Sequence, residues 1–162
     1  MDPIRYVDAL AEKYGAMGFP AYDWSRYDDA PLTPLAKPLT ECTVSLLTSG
    51  GVSQCSMPAW DPDARNDFRL DQVPADADSA GFQIHDSYYD HSDADADLNC
   101  VFPIDRLRAM ADAGEIGAVA PRFWSGFMGR IYKRRAVLEE YGPALALALK
   151  ADGVDVFVAV PA

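Results

Sequence analysis

The chain reads as an α/β domain: a parallel sheet in three layers, preceded by an N-terminal helix and a proline-rich strap. Three observations lead there. Residues 42–48 (CTVSLLT) and 154–160 (VDVFVAV) are apolar runs rich in strand formers, the pattern of strands covered on both faces. The first run ends in Ser49-Gly50-Gly51, a turn suited to the start of an α/β unit. Helical patterns between the two runs supply the crossovers that parallel strands need.

In chain order, Asp2 and Pro3 suit a helix cap and first turn. Ile4, Val7, Leu10, Ala11, Tyr14 and Met17 then recur at helical spacing, predicting a helix over residues 3–16. Residues 19–40 carry Pro20, Pro31, Pro34 and Pro38 and form an extended strap, which Phe19, Tyr22, Trp24 and Tyr27 are expected to pin to the body. The division falls into residues 1–41, helix and strap, and 42–162, the α/β domain, expected to be incomplete at its C-terminus. After the first strand, residues 52–66 read as loop, and residues 67–73 as a half-exposed strand ended by Pro74. A helix begins near Pro103, with Ile104, Leu107 and Met110 on one face, and stops at Gly114. Residues 115–121 suit a short strand, and residues 122–129 (RFWSGFMG) either wall a pocket or turn a corner. Residues 132–141 and 143–151 are helical; Gly142-Pro143 either kinks one long element or starts the second. Val154–Val160 then forms a strand apolar on both faces, as a central parallel strand would be.

Composition narrows the function. At 162 residues the chain can bury a real core, and a net charge of −11 argues against nucleic acid and against anionic membrane surfaces. Nothing reaches the length of a membrane span, and the N-terminus lacks the apolar run of a signal peptide. Cys42, Cys55 and Cys100 are an odd count with no CxxC pair, which points to a reducing, cytoplasmic compartment. Cys42 and Cys100 are expected to be buried and inert, and Cys55 the one thiol open to alkylation.

The richest chemistry lies in residues 82–107, FQIHDSYYDHSDADADLNCVFPIDRL, which hold both histidines of the protein, His85 and His91. Asp93, Asp95 and Asp97 open like an EF-hand loop, but Leu98 stands where that loop needs Gly and Ile104 where it needs a bidentate Glu. No metal is assigned to the stretch. Acid–base chemistry fits better: an adjacent carboxylate can orient either imidazole, and His85, His91 and Asp97 are the candidates for proton transfer. Thr48, Ser49, Gly50 and Gly51 are candidates to line a substrate crevice, with Tyr89, Asp90 and Asn99 as substrate contacts. The competing reading is that Asp97 and Asn99 cap and stiffen the turn into the next helix.

These residues carry a resemblance. PAYDWSRYDD (20–29), KPLTECTVSLLTSGG (37–51), HDSYYDHSDADADLNCVFPIDRL (85–107), GEIGAVA (114–120) and LALKADGVDVF (147–157) together resemble the selenoprotein B family of glycine, sarcosine, betaine and D-proline reductases. DADADLNCVFPIDRL is the specific block. The resemblance implies reductive cleavage of a C–N bond in a small zwitterionic substrate, within an oligomer of reductase subunits. It also implies a selenocysteine or cysteine as the attacking group, commonly in a U/C-x-x-C arrangement, and a pyruvoyl group on a partner subunit for amine substrates.

None of Cys42, Cys55 and Cys100 sits in such a motif, so the chain as it stands carries no cofactor and no nucleophile of that kind. The family places the motif just after the strand corresponding to VDVFVAVPA, so selenocysteine is expected immediately after Ala162, encoded by UGA. Genomic DNA tests this: an in-frame U-x-x-C motif beyond the codon for Ala162 is the expected result, and UAA or UAG there contradicts it. Two other classes stay open on the residues: a non-catalytic small-molecule-binding subunit with an acidic pocket, and an acidic metal-binding module.

Overall fold

The computed structural model describes residues 5–21, 28–29 and 33–162. The chain divides into two compact units, Met1–Pro34 and Leu35–Ala162. In the first, helix α1 (Tyr6–Ala16) buries none of its residues, and the Tyr14 and Phe19 rings meet edge to face at 5.9 Å. The expected helix start at Asp2–Pro3, and the anchoring of the strap by Tyr22, Trp24 and Tyr27, lie outside the described residues.

The second unit contains strands β1 (Thr43–Thr48), β2 (Val52–Gln54), β3 (Leu70–Pro74), β4 (Phe82–Ile84), β5 (Ala118–Val119), β6 (Arg122–Gly126) and β7 (Val156–Val160). Its helices are α2 (Ser92–Ala96), α3 (Ile104–Asp112), α4 (Arg134–Ala136) and α5 (Gly142–Ala151). Strand β1 is the centre. Parallel β7 pairs with it from Val44↔Val156 to Thr48↔Val160, so β5 and β6 share its other edge, one at its start and one at its end. Beyond β6 lies antiparallel β3, with Gln72 opposite Trp124, which makes the sheet mostly rather than wholly parallel.

Alternation along β1 sends consecutive leucines to opposite faces. Leu46 joins Val73 and Phe123 under Ile104, Phe102 and Ala94 from the α2–α3 side. Leu47 joins Trp124 under Leu145 and Leu149 of α5. Helices therefore cover both faces, the three-layer α/β arrangement expected from the two apolar runs.

Several elements differ from expectation for identifiable reasons. Residues 52–54 and 82–84, one read as loop and the other left without a strand, pair as a separate antiparallel ribbon, Val52 opposite Ile84. Residues 122–126 are a buried strand; the corner comes just after it, at Phe127, whose φ of 54° is left-handed. Gly142-Pro143 neither ends the helix nor merely kinks it. Residues 137–141 form a π turn in which the Gly142 N–H reaches the Val137 carbonyl, and helix continues on both sides. The wider turn accommodates Pro143, which cannot donate to an α-helical ladder. A side chain at 142 would also meet that carbonyl at 2.8 Å. Finally, β7 lies at an edge of the sheet, not at its centre. Among the described residues, no helix is long and apolar enough to cross a membrane.

Leu46 is fully buried, whereas Leu147 on α5 is 69% exposed. Leu46→Ala should therefore cost about 2–5 kcal/mol of stability and Leu147→Ala at most about 0.5, read from urea unfolding midpoints. Equal effects at the two positions would contradict this layering.

Candidate active site

The site is built from two neighbouring parts. The first is the turn at the carboxyl end of β1, where ligands usually bind in open parallel sheets. Thr48 Oγ1 accepts from the Gly50 N–H at 3.2 Å and tightens the turn. Gly51 has a φ of +66°, and a Cβ there would stand 2.4 Å from the His85 carbonyl oxygen. Only glycine meets both demands. The contact is sealed by the His85 N–H, which donates to the Gly51 carbonyl at 3.0 Å. The end of β7 closes in from the other side: the Ser49 N–H donates to the Val160 carbonyl at 3.2 Å, and the Ala162 N–H to Ser49 Oγ at 3.3 Å.

Above this turn lies Tyr89, whose hydroxyl donates to the Gly50 carbonyl at 2.9 Å. Burial, reinforced by the carboxylates of Asp86 and Asp95, pushes the phenol up to about 12, so it stays protonated and donating. The Tyr89 ring meets the His91 ring edge to face at 5.8 Å, and His91 Nδ1 lies 2.8 Å from Asp95 Oδ2 one helical turn on. Helix α2 makes this pair. The acidic run that mimics a metal loop is helical, so His91 and Asp95 at i and i+4 share a face.

Asp95 leads into the second part, a pocket of about 310 Å³ between β4 and the segment joining α2 to α3. Asp97, Asn99, Asp105, Ser79 and Gln83 supply its polar lining. Asp97 Oδ1 accepts from the Asn99 backbone N–H at 3.0 Å and from Asn99 Nδ2 at 2.8 Å, while Oδ2 lies 3.5 Å from Arg106. These donors, Asn99 first, hold the Asp97 carboxyl below its usual range. Asn99 Nδ2 also donates to Asp105 Oδ2 at 3.2 Å, and Asn99 Oδ1 accepts from the Asp105 N–H at 3.1 Å. Burial draws the Asp105 carboxyl upward, but Asn99, Ser79 and Arg108 together hold it below the usual range.

The expected residues thus divide. Thr48, Ser49, Gly50, Gly51 and Tyr89 converge on the turn, and Asp97 and Asn99 line the pocket. Asp97 caps the turn Leu98–Cys100, and Asn99 likewise caps the first turn of α3. Capping and pocket lining are both realised by the same side chains. Asp90 accepts from the Ser92 N–H at 3.1 Å and starts α2, outside both parts. His85 contributes its backbone to the turn, and its side chain is exposed. Asp105 and Ser79 were missed as lining residues; the Asn99-to-Asp105 spacing, an Asx side chain reaching the first turn of a helix, was the available signal. Among the described residues, no three of His, Cys, Asp and Glu come together to hold a metal ion. Cys42 is buried as expected and Cys55 exposed, but Cys100 is exposed as well, because it ends the short turn before α3 rather than packing beneath it.

The family model for glycine/sarcosine/betaine reductase selenoprotein B matches residues 3–161. The chain is 37% identical to D-proline reductase subunit gamma of Acetoanaerobium sticklandii over 123 residues, 76% of this chain and 50% of that protein. It is 29% identical to glycine reductase complex component B subunit gamma of Carboxydothermus hydrogenoformans over 162 residues, 95% of this chain and 36% of that protein. The chain thus spans half or less of the length of these curated relatives. No solved structure matches it.

The Tyr89 latch has a pH signature. Its neutral form is the one the fold favours, so its contribution to stability is complete below pH 10 and is lost as pH rises towards about 12. Tyr89→Phe should lose part of the fall in denaturation midpoint over that window and a tyrosine titrating late at 295 nm. An unchanged late-titrating component in the variant would contradict the assignment. In the same native protein, alkylation should label Cys55 and Cys100 and spare Cys42.

Proposed function

The chain belongs to the glycine/sarcosine/betaine reductase selenoprotein B family, and from that premise we propose that it forms the substrate-binding part of a reductase that cleaves the C–N bond of a small amino acid or betaine. One observation carries the reading. A continuous path runs from the Gly50 carbonyl through Tyr89, His91 and Asp95 to an acidic pocket at the small end of ligand-site volumes. The strand-end turn and the pocket are in this reading two ends of one site.

The roles follow from charge and reach. Asp97 and Asp105 stay ionised and attract the cationic nitrogen of a zwitterion, whether ammonium or quaternary ammonium. Asn99 holds the two carboxylates in place. Tyr89 remains protonated and keeps the Gly50 turn closed. His91, oriented by Asp95, takes the proton of the attacking selenol or thiol and passes it to the amine after that amine has left with the C–N bonding pair. A selenol or thiol at the carboxyl ends of the strands, none of Cys42, Cys55 or Cys100, would supply the nucleophile that displaces that nitrogen. The segment after β7 abuts that turn, since a Cβ at Gly50 would lie 3.2 Å from Ala162 Cβ. The assembled enzyme would include further reductase subunits, one of them carrying a pyruvoyl group for amine substrates, and would work in the cytoplasm.

A second reading, a binding subunit without catalysis, is favoured by the self-satisfied Asp97–Asn99–Asp105 network, which resembles a permanent scaffold. Kinetics of the assembled reductase separate the two. His91→Ala should lower turnover about a hundredfold, and the exposed His85 much less when changed to Ala. Asp97→Ala should act on substrate affinity as well as on turnover. Because the Asp97 carboxyl titrates below its ordinary range, substrate affinity should persist as pH falls through that range and fail only beneath it. If His91→Ala and Asp97→Ala both stay within a few-fold of wild type while correctly folded, the catalytic reading fails.

A further inference from the structure

The two edges of the main sheet are treated differently. At one edge, β3 carries Asp71 and Gln72 and ends in Pro74, the charged and proline-bearing composition that discourages further pairing. At the other edge, β7 reads VFVAV, with no charge, no proline and no bulge. Among the described residues no strand pairs with its outer side.

Its faces are also unfinished. Val156, Val158 and Val160 are only partly buried on the face shared with Leu46, and Phe157 on the other face is 39% exposed. Its neighbour β1 is buried from Val44 to Thr48. An apolar strand half-covered on both faces belongs inside a parallel sheet, with a further strand beside it and helical cover above and below.

The direction of the free groups can be fixed. The Asp155 N–H donates inward to the Thr43 carbonyl, and the Val160 carbonyl accepts inward from the Ser49 N–H. On its other side β1 gives its Cys42 and Val44 carbonyls to Ala118 and Ala120, so Thr43, Ser45, Leu47 and Ser49 face β7. The register Val44↔Val156 then turns both the N–H and the C=O groups of Val156, Val158 and Val160 towards β1. Those of Phe157 and Ala159 point away from it and are the free donors and acceptors of the edge.

We infer that the outer edge of β7 is an assembly surface that takes a parallel strand, with its covering helix, from the part of the reductase gamma polypeptide that this chain does not span. The inference rests on membership of the reductase family. Length supports this occupant: at least half of each curated relative lies outside the portion matched. A second copy is disfavoured. Two-fold pairing through β7 would run the strands antiparallel and bring together two chains of net charge −11 each. Main-chain hydrogen bonds would supply the register, and Phe157 and the valines the apolar contact, as in other cases of strand addition.

Residue-resolved amide exchange on the full chain, alone and within the assembled reductase, tests the surface. Alone, the Phe157 and Ala159 amides should exchange at least a hundredfold faster than those of Val156, Val158 and Val160. Within the assembly, all five should be slow. Fast exchange of the Phe157 and Ala159 amides in the assembly overturns the proposal. So does their protection in the isolated chain together with sedimentation as a dimer, which would make a second copy the occupant. Ala159→Pro removes one outward donor and leaves the β1 ladder intact, since edge strands tolerate proline on their free side. It should reduce incorporation into the assembly at least tenfold relative to Ala159→Val, which keeps the donor. Equal incorporation of the two variants overturns the proposal. Should Ala159→Pro disturb the β1 ladder itself, visible as exchange at Val156, Val158 and Val160, the wild-type exchange comparison decides alone. None of these readouts measures reduction, so a protected edge in an inactive assembly would refute the proposed function and leave this surface standing.

Discussion

The backbone contact between Gly51 and His85 is the constraint on which the rest depends. Gly51 ends the turn after the central strand β1 in a left-handed conformation, and the His85 carbonyl occupies the space a side chain would need. That contact fixes the β2–β4 ribbon against the end of the main sheet, since β2 follows Gly51 and β4 precedes His85. It thereby sets where residues 86–99 emerge. Tyr89 reaches the Gly50 carbonyl only because the chain leaves the ribbon there. His91, Asp95 and the acidic pocket follow from that placement. The tyrosine, the histidine and the carboxylates are thus arranged by a glycine that touches none of them directly.

The parts of the fold legible in the sequence are those with a long, unambiguous pattern. Val44, Leu46 and Leu47 announce a strand buried on both sides, and Ile104, Leu107 and Met110 announce a helix. The ribbon was illegible because its strands are three residues each and half polar, too short for a period of two to show. Residues 122–126 were obscured by Gly126, which reads as a hinge. In fact a Cβ there would stand 2.6 Å from the Arg69 carbonyl, so the glycine marks a close strand crossing. At the site, residue types pointed to the right stretch and local conformation decided who meets whom. Asp93, Asp95 and Asp97 looked like ligands along a loop. Helicity over Ser92–Ala96 turns Asp95 towards His91, and an extended backbone at Asp97 commits that carboxylate to Asn99.

Charge ties the fold to the chemistry. Key cations of this strongly acidic chain are committed to structure: Arg122 grips Asp152 across the α5 end, Arg69 pairs with Asp71, and Arg108 holds the Ala75 and Ala77 carbonyls. The Asp97–Asp105 pocket keeps two ionised carboxylates in reach of a ligand, which suits a cationic nitrogen and disfavours an isolated anion. A zwitterion needs a second, positive or hydrogen-bonding end. In this account the subunits of the assembled reductase complete it around the strand-end turn.

We propose that the Gly50 turn and the acidic pocket are two ends of one site for a small zwitterion in an assembled reductase. The most direct measurement is an experimental structure of that assembly with glycine, proline or betaine bound. The ligand nitrogen is expected within about 4 Å of Asp97 or Asp105, with its remaining end directed past His91 towards Tyr89. A ligand bound elsewhere, with the pocket filled only by water, would contradict it.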